Sequence, residues 1–165
     1  MSSESSVIGK WFEDKLHPAL KSIQSKQKAM CHRFPDTRAA RNPLPAQPGD
    51  FLLNMAGMAI LIEAKCSSVH DNLTSGFSSL WPKGEAAFHR LWHRSGQPSW
   101  VIFCHYDTEI VHIWAGEDIA YARATGQKLP RSLRPLVTGT VDTLELCLLK
   151  AVVLQKEIWW KALTS

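Results

Sequence analysis

The chain has 165 residues, 45% hydrophobic and 21% charged, with a net charge of +4. That length supports one domain, 1–165, with its own apolar core, and the composition excludes wholesale disorder and fibrous folds. The longest strongly apolar run, Leu144 to Leu154, is interrupted by Glu145 and Lys150 and falls short of the roughly 20 residues that cross a bilayer, so no membrane contact is expected.

The start, Met1 to Ser6, has neither the basic residues nor the apolar stretch of a secretory signal, so a cytoplasmic protein is expected. From Ser6 to about Met30, Ile8, Trp11, Phe12, Leu16, Leu20 and Ile23 recur every three or four residues and predict a helix. Pro18 within it should kink the helix or start a second one. Ala29 to Phe34 reads as a short strand ending at Pro35. The segment 36–49 holds Pro43, Pro45 and Pro48 together with Arg38 and Arg41, and is expected to be a basic loop. Between Lys21 and Pro45 six Lys/Arg face one acid, Asp36, which gives this stretch alone +5. Such a segment favours a polyanionic partner. The cysteines Cys31, Cys66, Cys104 and Cys147 form no Cys-x-x-Cys pair, so they read as reduced thiols rather than zinc ligands.

Asp50 to Leu53 and Met58 to Cys66 are expected to form a hairpin through Asn54-Met55-Ala56-Gly57. Ser67 to Trp81 is polar and flexible in character. Lys83 to Arg94 has the pattern of an amphipathic helix, and Trp100 to His105 and Glu109 to Trp114 read as strands around Tyr106-Asp107-Thr108. Gly116 to Ala124 suits a short helix, and 142–162 a long one. The order of elements implies an α/β domain with a central mixed sheet flanked by helices.

Glu63 and Lys65 lie two apart on one strand, so their side chains share a sheet face, with Ile60 and Ile62 on the other. With the hairpin centred between Met55 and Ala56, Asp50 pairs with Leu61 and lies diagonal to Glu63. A Glu-x-Lys pattern is equally consistent with a charge pair on an edge strand. Met58 to Ile62, apolar on both faces, argues instead for an interior strand. Two carboxylates and a lysine in such a place call for compensation, which a divalent cation supplies: Mg²⁺ binds through one or two carboxylates plus substrate phosphate.

These residues resemble the PD-(D/E)XK nuclease superfamily, and within it the RecU-type, phage and archaeal Holliday junction resolvases. Gly9-Lys10-Trp11-Phe12-Glu13 looks like the family's Gly-x-x-x-Glu on the first helix. Ala29 to Pro35 resembles its first strand. Asp50, twelve intervening residues and Glu63-Ala64-Lys65 match its central motif. Glu85 to Gly96 resembles the helix that follows, and the likeness covers about residues 7 to 115. It implies a restriction-endonuclease-like fold and a Mg²⁺-dependent endonuclease, with Mn²⁺ as a substitute. Catalytic residues would be Glu13, Asp50, Glu63 and Lys65, with Glu13, Asp50, Glu63 and the Ala64 carbonyl as metal ligands. The expected substrate is branched DNA, a four-way junction, cut in recombination, repair or phage DNA processing in a bacterial or phage-infected cell. Alternatives are another nuclease of the superfamily, acting on flaps, nicks or duplex, and an inactive DNA-binding protein. Two departures stand out. Glu85 occupies a position usually held by Gln, and could face the site or solvent. The fourteen residues 36–49 are also shorter than the RecU stalk, which makes junction specificity less secure than the chemistry.

Arg33, Arg38 and Arg41 lead into Asp50 and are read as phosphate contacts. Lys83 and His70 flank the motif strand, as DNA contacts or as ordinary loop residues. Arg131 and Arg134 form a weaker basic cluster. His89 and His93 have helical i, i+4 spacing but lack the Glu of a zinc motif, leaving phosphate contact or a solvated face. The run Leu144 to Leu154, apolar almost all round, implies a central helix or a dimer interface. Trp159-Trp160 and the two-fold symmetry of a junction favour a homodimer.

Overall fold

The computed structural model describes residues 4–35, 47–68, 83–127, 129 and 132–165. In chain order its elements are α1 (Glu4–Lys26), β1 (Ala29–Arg33), β2 (Phe51–Met55), β3 (Met58–Ser67), α2 (Lys83–Arg94), β4 (Ser99–His105), β5 (Ile110–Ala115), α3 (Gly116–Thr125), β6 (Val137–Thr140), a 3₁₀ turn (Val141–Thr143) and α4 (Leu144–Thr164). The strands form one mixed sheet in sequence order. β3 and β4 are parallel, and the other neighbours antiparallel. A parallel pair needs a long crossover, and α2 lies within this one.

Both sheet faces are covered. Ile60, Ile62, Trp100, Ile102 and Ile113 point toward α1 and α4, where they form the larger core with Phe12, Leu16, Leu20 and Leu148. Val101, Phe103 and Trp114 point the other way and pack with Ala86 of α2 and Ile119 and Ala120 of α3. β3 is therefore interior, as its two-sided apolar run implies.

Several expectations change. α1 runs as one helix across Pro18, so no second helix starts there. Pro18 sits on the exposed side, while Leu16 and Leu20, buried on either side of it, hold both turns on the sheet. α4 is buried along one side only, through Leu144, Cys147, Leu148, Ala151, Val152 and Gln155, so it is neither central nor enclosed. β6 escaped the sequence reading because Val137-Thr138-Gly139-Thr140 is short and contains a glycine, a poor strand former. That glycine gives α4 room, since a side chain at 139 would displace Cys147 Sγ.

The hairpin register also differs. Met55 pairs with Met58, and Phe51 with Ile62, so the turn is Ala56-Gly57, both with positive φ (55° and 84°). Every partner is thus shifted by two residues from the expectation. An even shift keeps each paired side chain on its face, and Asp50, just outside β2, lies against Ile62, to whose carbonyl its N–H donates, instead of pairing with Leu61. Loop 36–49 and the segment Ser67 to Trp81 fall largely outside the described residues. Among those described, no helix is long and apolar enough to cross a membrane.

A two-residue turn of this kind favours Asn-Gly, and alanine tolerates positive φ poorly. Ala56→Asn should raise the free energy of unfolding by about 0.5–1 kcal/mol in urea titrations, with an unchanged denaturant slope.

Candidate active site

Alternation along β3 sends Glu63 and Lys65 to the α2 face. Glu63 is buried, at 2% exposure, and its Oε1 lies 2.5 Å from Lys65 Nζ. Its Oε2 lies 3.9 Å from Nε2 of His89, which is fully buried on α2. Lys65 Nζ also lies 3.5 Å from Glu85 Oε2, so Glu85 reaches the site while its side chain stays 37% exposed. Residues 85 and 89 are one helical turn apart, and that spacing was the available signal that His89 belongs with Glu85 on the sheet-facing side of α2.

Asp50 enters from the β2 side. Its N–H donates to the Ile62 carbonyl (2.9 Å), and its own carbonyl accepts from Phe34 N–H (2.9 Å), which fixes it between β1 and β3. The approach requires Gly49, because a Cβ there would lie 2.9 Å from the Ile62 carbonyl oxygen. β2 begins at Phe51, so beyond Ile62 the ladder leaves Ala64 N–H without a strand partner. Asp50 Oδ2 accepts from it instead, at 2.7 Å. In a strand the N–H and C=O of one residue face the same neighbour, so the Ala64 carbonyl points toward the Asp50 edge as well.

Glu13, on α1, is engaged by Arg33 of β1 through a 2.7 Å hydrogen-bonded ion pair. Arg33 also lies 3.9 Å from Asp14 and stacks over Phe51, 5.8 Å from the ring centre. Of the three arginines read as phosphate contacts, Arg33 is thus held against α1, while Arg38 and Arg41 lie outside the described residues. Lys83 opens α2; His70 and Arg131 are not described. Arg134 bonds the neighbouring Leu133 carbonyl. His93 pairs with Glu117 of α3 at 2.9 Å. His89 and His93 therefore serve different partners, and the burial of His89 rules out both phosphate contact and a solvated face for it.

Electrostatics make the carboxylates the unusual members. Burial pushes Asp50 up to about 6, against the pull of Lys65 and the Ala64 N–H, with Glu13 and Glu85 adding to the rise. Burial, then Asp50, pushes Glu63 well above the ordinary carboxylate range despite Lys65. For Lys65 burial acts downward, but Glu63 and Asp50 outweigh it and hold the ammonium above its usual value. Burial, helped by Lys65, lowers His89 to about 3, so this imidazole is neutral. Three acids, Asp50, Glu63 and Glu85, thus surround one cation, Lys65, and the cluster has room in its charge balance for another. Among the described residues no group of three or more His, Cys, Asp and Glu side chains is arranged around a common metal position. Asp50, Glu63 and the Ala64 carbonyl supply at most a partial, all-oxygen shell.

Comparison with protein-family models and with curated proteins finds no match to this chain.

The raised carboxylates fix a pH dependence. Asp50 binds its proton more tightly folded (about 6) than at its ordinary value of 3.8. The folded state therefore loses stability as pH rises through that window. Asp50→Asn keeps an acceptor for Ala64 N–H while removing the charge. It should stabilise the metal-free protein by about 1–2 kcal/mol at neutral pH, with the gain vanishing below 3.8, as chemical denaturation at several pH values would measure.

Proposed function

We propose that the protein is a metal-dependent DNA endonuclease of restriction-endonuclease-like fold, acting on branched DNA with a four-way junction as its substrate. The observation that carries this reading is the convergence of Asp50 and Glu63 beside Lys65 at the edge where β2 stops, with both carboxylates raised by burial and incompletely balanced by Lys65. Residues spread from 50 to 65 meet there through the β2–β3 pairing and the hydrogen bonds of Asp50 to Ile62 and Ala64.

The residues fit a hard divalent cation. Their donors are all oxygen, which suits Mg²⁺ or Mn²⁺, and Mg²⁺ typically uses one or two carboxylates and completes its shell with water and phosphate. Asp50, Glu63 and the Ala64 carbonyl would hold it. Glu13 would join once released from Arg33. When bound, the ion would neutralise the scissile phosphate and acidify the attacking water.

The protein groups have separable tasks. Lys65 stays an ammonium at neutral pH, held so by Glu63 and Asp50, so it serves as a fixed positive charge and donor toward the developing phosphoryl oxyanion and not as a base. Glu85, 3.5 Å away, restricts where Lys65 can point. Neutral His89 backs Glu63 without adding charge. Arg33, with Arg38, Arg41 and Lys83, would contact backbone phosphates, which gives affinity without sequence specificity.

A second reading is favoured by one observation. Each acid is already engaged by a protein group, Glu13 by Arg33, Glu63 by Lys65 and Asp50 by Ala64 N–H, as expected of a DNA-binding protein without chemistry. A nuclease acting on flaps, nicks or linear duplex is the alternative within the same chemistry.

Incubation with Mg²⁺ and either a synthetic four-way junction or a matched linear duplex tests these readings together. Junction cleavage that stops with chelator and falls by about a hundredfold or more in Asp50→Ala and Glu63→Ala, with junction binding retained, is expected. Equal cutting of both substrates would reassign the substrate, and binding without cutting by the wild type would leave the inactive binding protein.

A further inference from the structure

Two histidines outside the acid cluster meet on the sheet face that carries Lys65. Register pairs Phe103 with His112 and His105 with Ile110, so His105 of β4 and His112 of β5 are diagonal neighbours across an antiparallel pair. Alternation along the strands puts both on the side of Val101, Phe103 and Trp114. Their ring centres are 5.5 Å apart and their planes stand at 89°. Both side chains are partly exposed, so an ion in solution can reach them. The second ring is also anchored from β6, where Thr138 Oγ1 lies 2.9 Å from His112 Nδ1.

We propose that His105 and His112 form a separate site for a divalent transition-metal ion of the Zn²⁺ class, with water completing its shell. Two imidazoles that each bind a tetrahedral ion through one nitrogen, at about 2 Å, have ring centres about 5 Å apart. The observed spacing is close to that. A ligating histidine ordinarily donates its other ring N–H to an oxygen, which fixes the tautomer and the ring orientation. Thr138 gives His112 such a partner: with Nδ1–H donating to the hydroxyl, Nε2 is the ligand. Imidazole suits Zn²⁺, Cu²⁺ or Ni²⁺, whereas oxygen donors suit Mg²⁺ and Mn²⁺, so the histidines and the acid cluster take different ions. Distance separates them too. Lys65, Phe103 and His112 stand in one row across β3, β4 and β5, which puts His112 about 10 Å from Lys65 in the sheet. Paired catalytic ions lie about 3.5–4 Å apart, so this ion is not the second member of a two-metal centre. It clips β4 to β5 and stabilises the folded chain. Cys66 and Cys104 belong to the core on the opposite face and do not complete its shell.

Calorimetric titration of the full chain with ZnCl₂ at about pH 7.5, where an ordinary imidazole is neutral, tests the proposal alongside thermal unfolding. In excess Mg²⁺ one Zn²⁺ per chain should bind, and saturation should raise Tm by about 5 °C. His105→Gln and His112→Gln should each weaken Zn²⁺ binding by about tenfold or more and remove the rise in Tm, with an unchanged circular dichroism spectrum. Thr138→Val should weaken it by about tenfold, because the His112 ring loses its anchor. Asp50→Ala should leave the Zn²⁺ titration as it was. In the wild type, trace Cu²⁺ should broaden the ring-proton resonances of His105 and His112 before those of the other histidines, a readout that needs no variant to fold. A wild type that takes up no Zn²⁺ would overturn the proposal and leave two rings that merely pack together. Binding that survives both histidine variants, or that is lost in Asp50→Ala, would equally overturn it by placing the ion elsewhere. No readout involves DNA, so the site stands or falls separately from the nuclease reading.

Discussion

Placing the Glu63 carboxylate inside the sheet is the constraint around which the rest of the site is arranged. A carboxylate withdrawn from water is costly unless paired. Here the support comes from three side chains on two elements: Lys65 two residues along β3, and His89 and Glu85 on α2, the latter holding Lys65 from the other side. The strand is interior because Met58 to Ile62 is apolar on both faces, so Glu63 has no edge from which to reach solvent. α2 closes over it because Ala86, on the same helical face as Glu85 and His89, packs with Val101 and Phe103.

The same architecture brings Asp50 in without burying another unpaired backbone group. β2 ends one residue short of it, and the side chain then does for Ala64 N–H what a strand neighbour would have done. Tryptophan indoles secure the surroundings. Trp92 Nε1 donates to the Ala59 carbonyl, tying α2 to the hairpin, Trp100 Nε1 donates to Gln155 of α4, and Trp159 Nε1 reaches Gly96 beyond α2. Trp100 is fully buried and Trp92 and Trp159 partly so, each with its one donor satisfied. The first two tie α2 to β3 and β4 to α4, and the third joins α4 to the turn that leads from α2 into β4.

The Glu13–Arg33 pair gives the acid cluster a different character on its α1 side. Both side chains are about one-third exposed, so the ion pair is weakly held and within reach of a phosphate that would compete for the guanidinium. In the proposed nuclease, DNA and Glu13 therefore draw on the same arginine. The deeply buried Glu63–Lys65 pair has no such competitor and remains the fixed part of the arrangement.

The sequence by itself determined which segments form α1, β1, α2 and β3 and which face of β3 carries Glu63 and Lys65, because these depend on periodicities of 3.6 and 2 that are local to a few residues. The even hairpin shift likewise left the faces of the paired β2 residues unchanged. The turn at Ala56-Gly57 was set instead by which residues take positive φ when the strands pair, and β6 by its contacts with β5 and α4. The partners of the acids were likewise a tertiary matter. His89 meets Glu63 and Arg33 meets Glu13 across 26 and 20 residues of chain respectively, and no local pattern encodes such separations. Packing of α1 and α2 against the sheet decided them, and with them which charges in the Asp50, Glu63 and Lys65 cluster remain incompletely balanced.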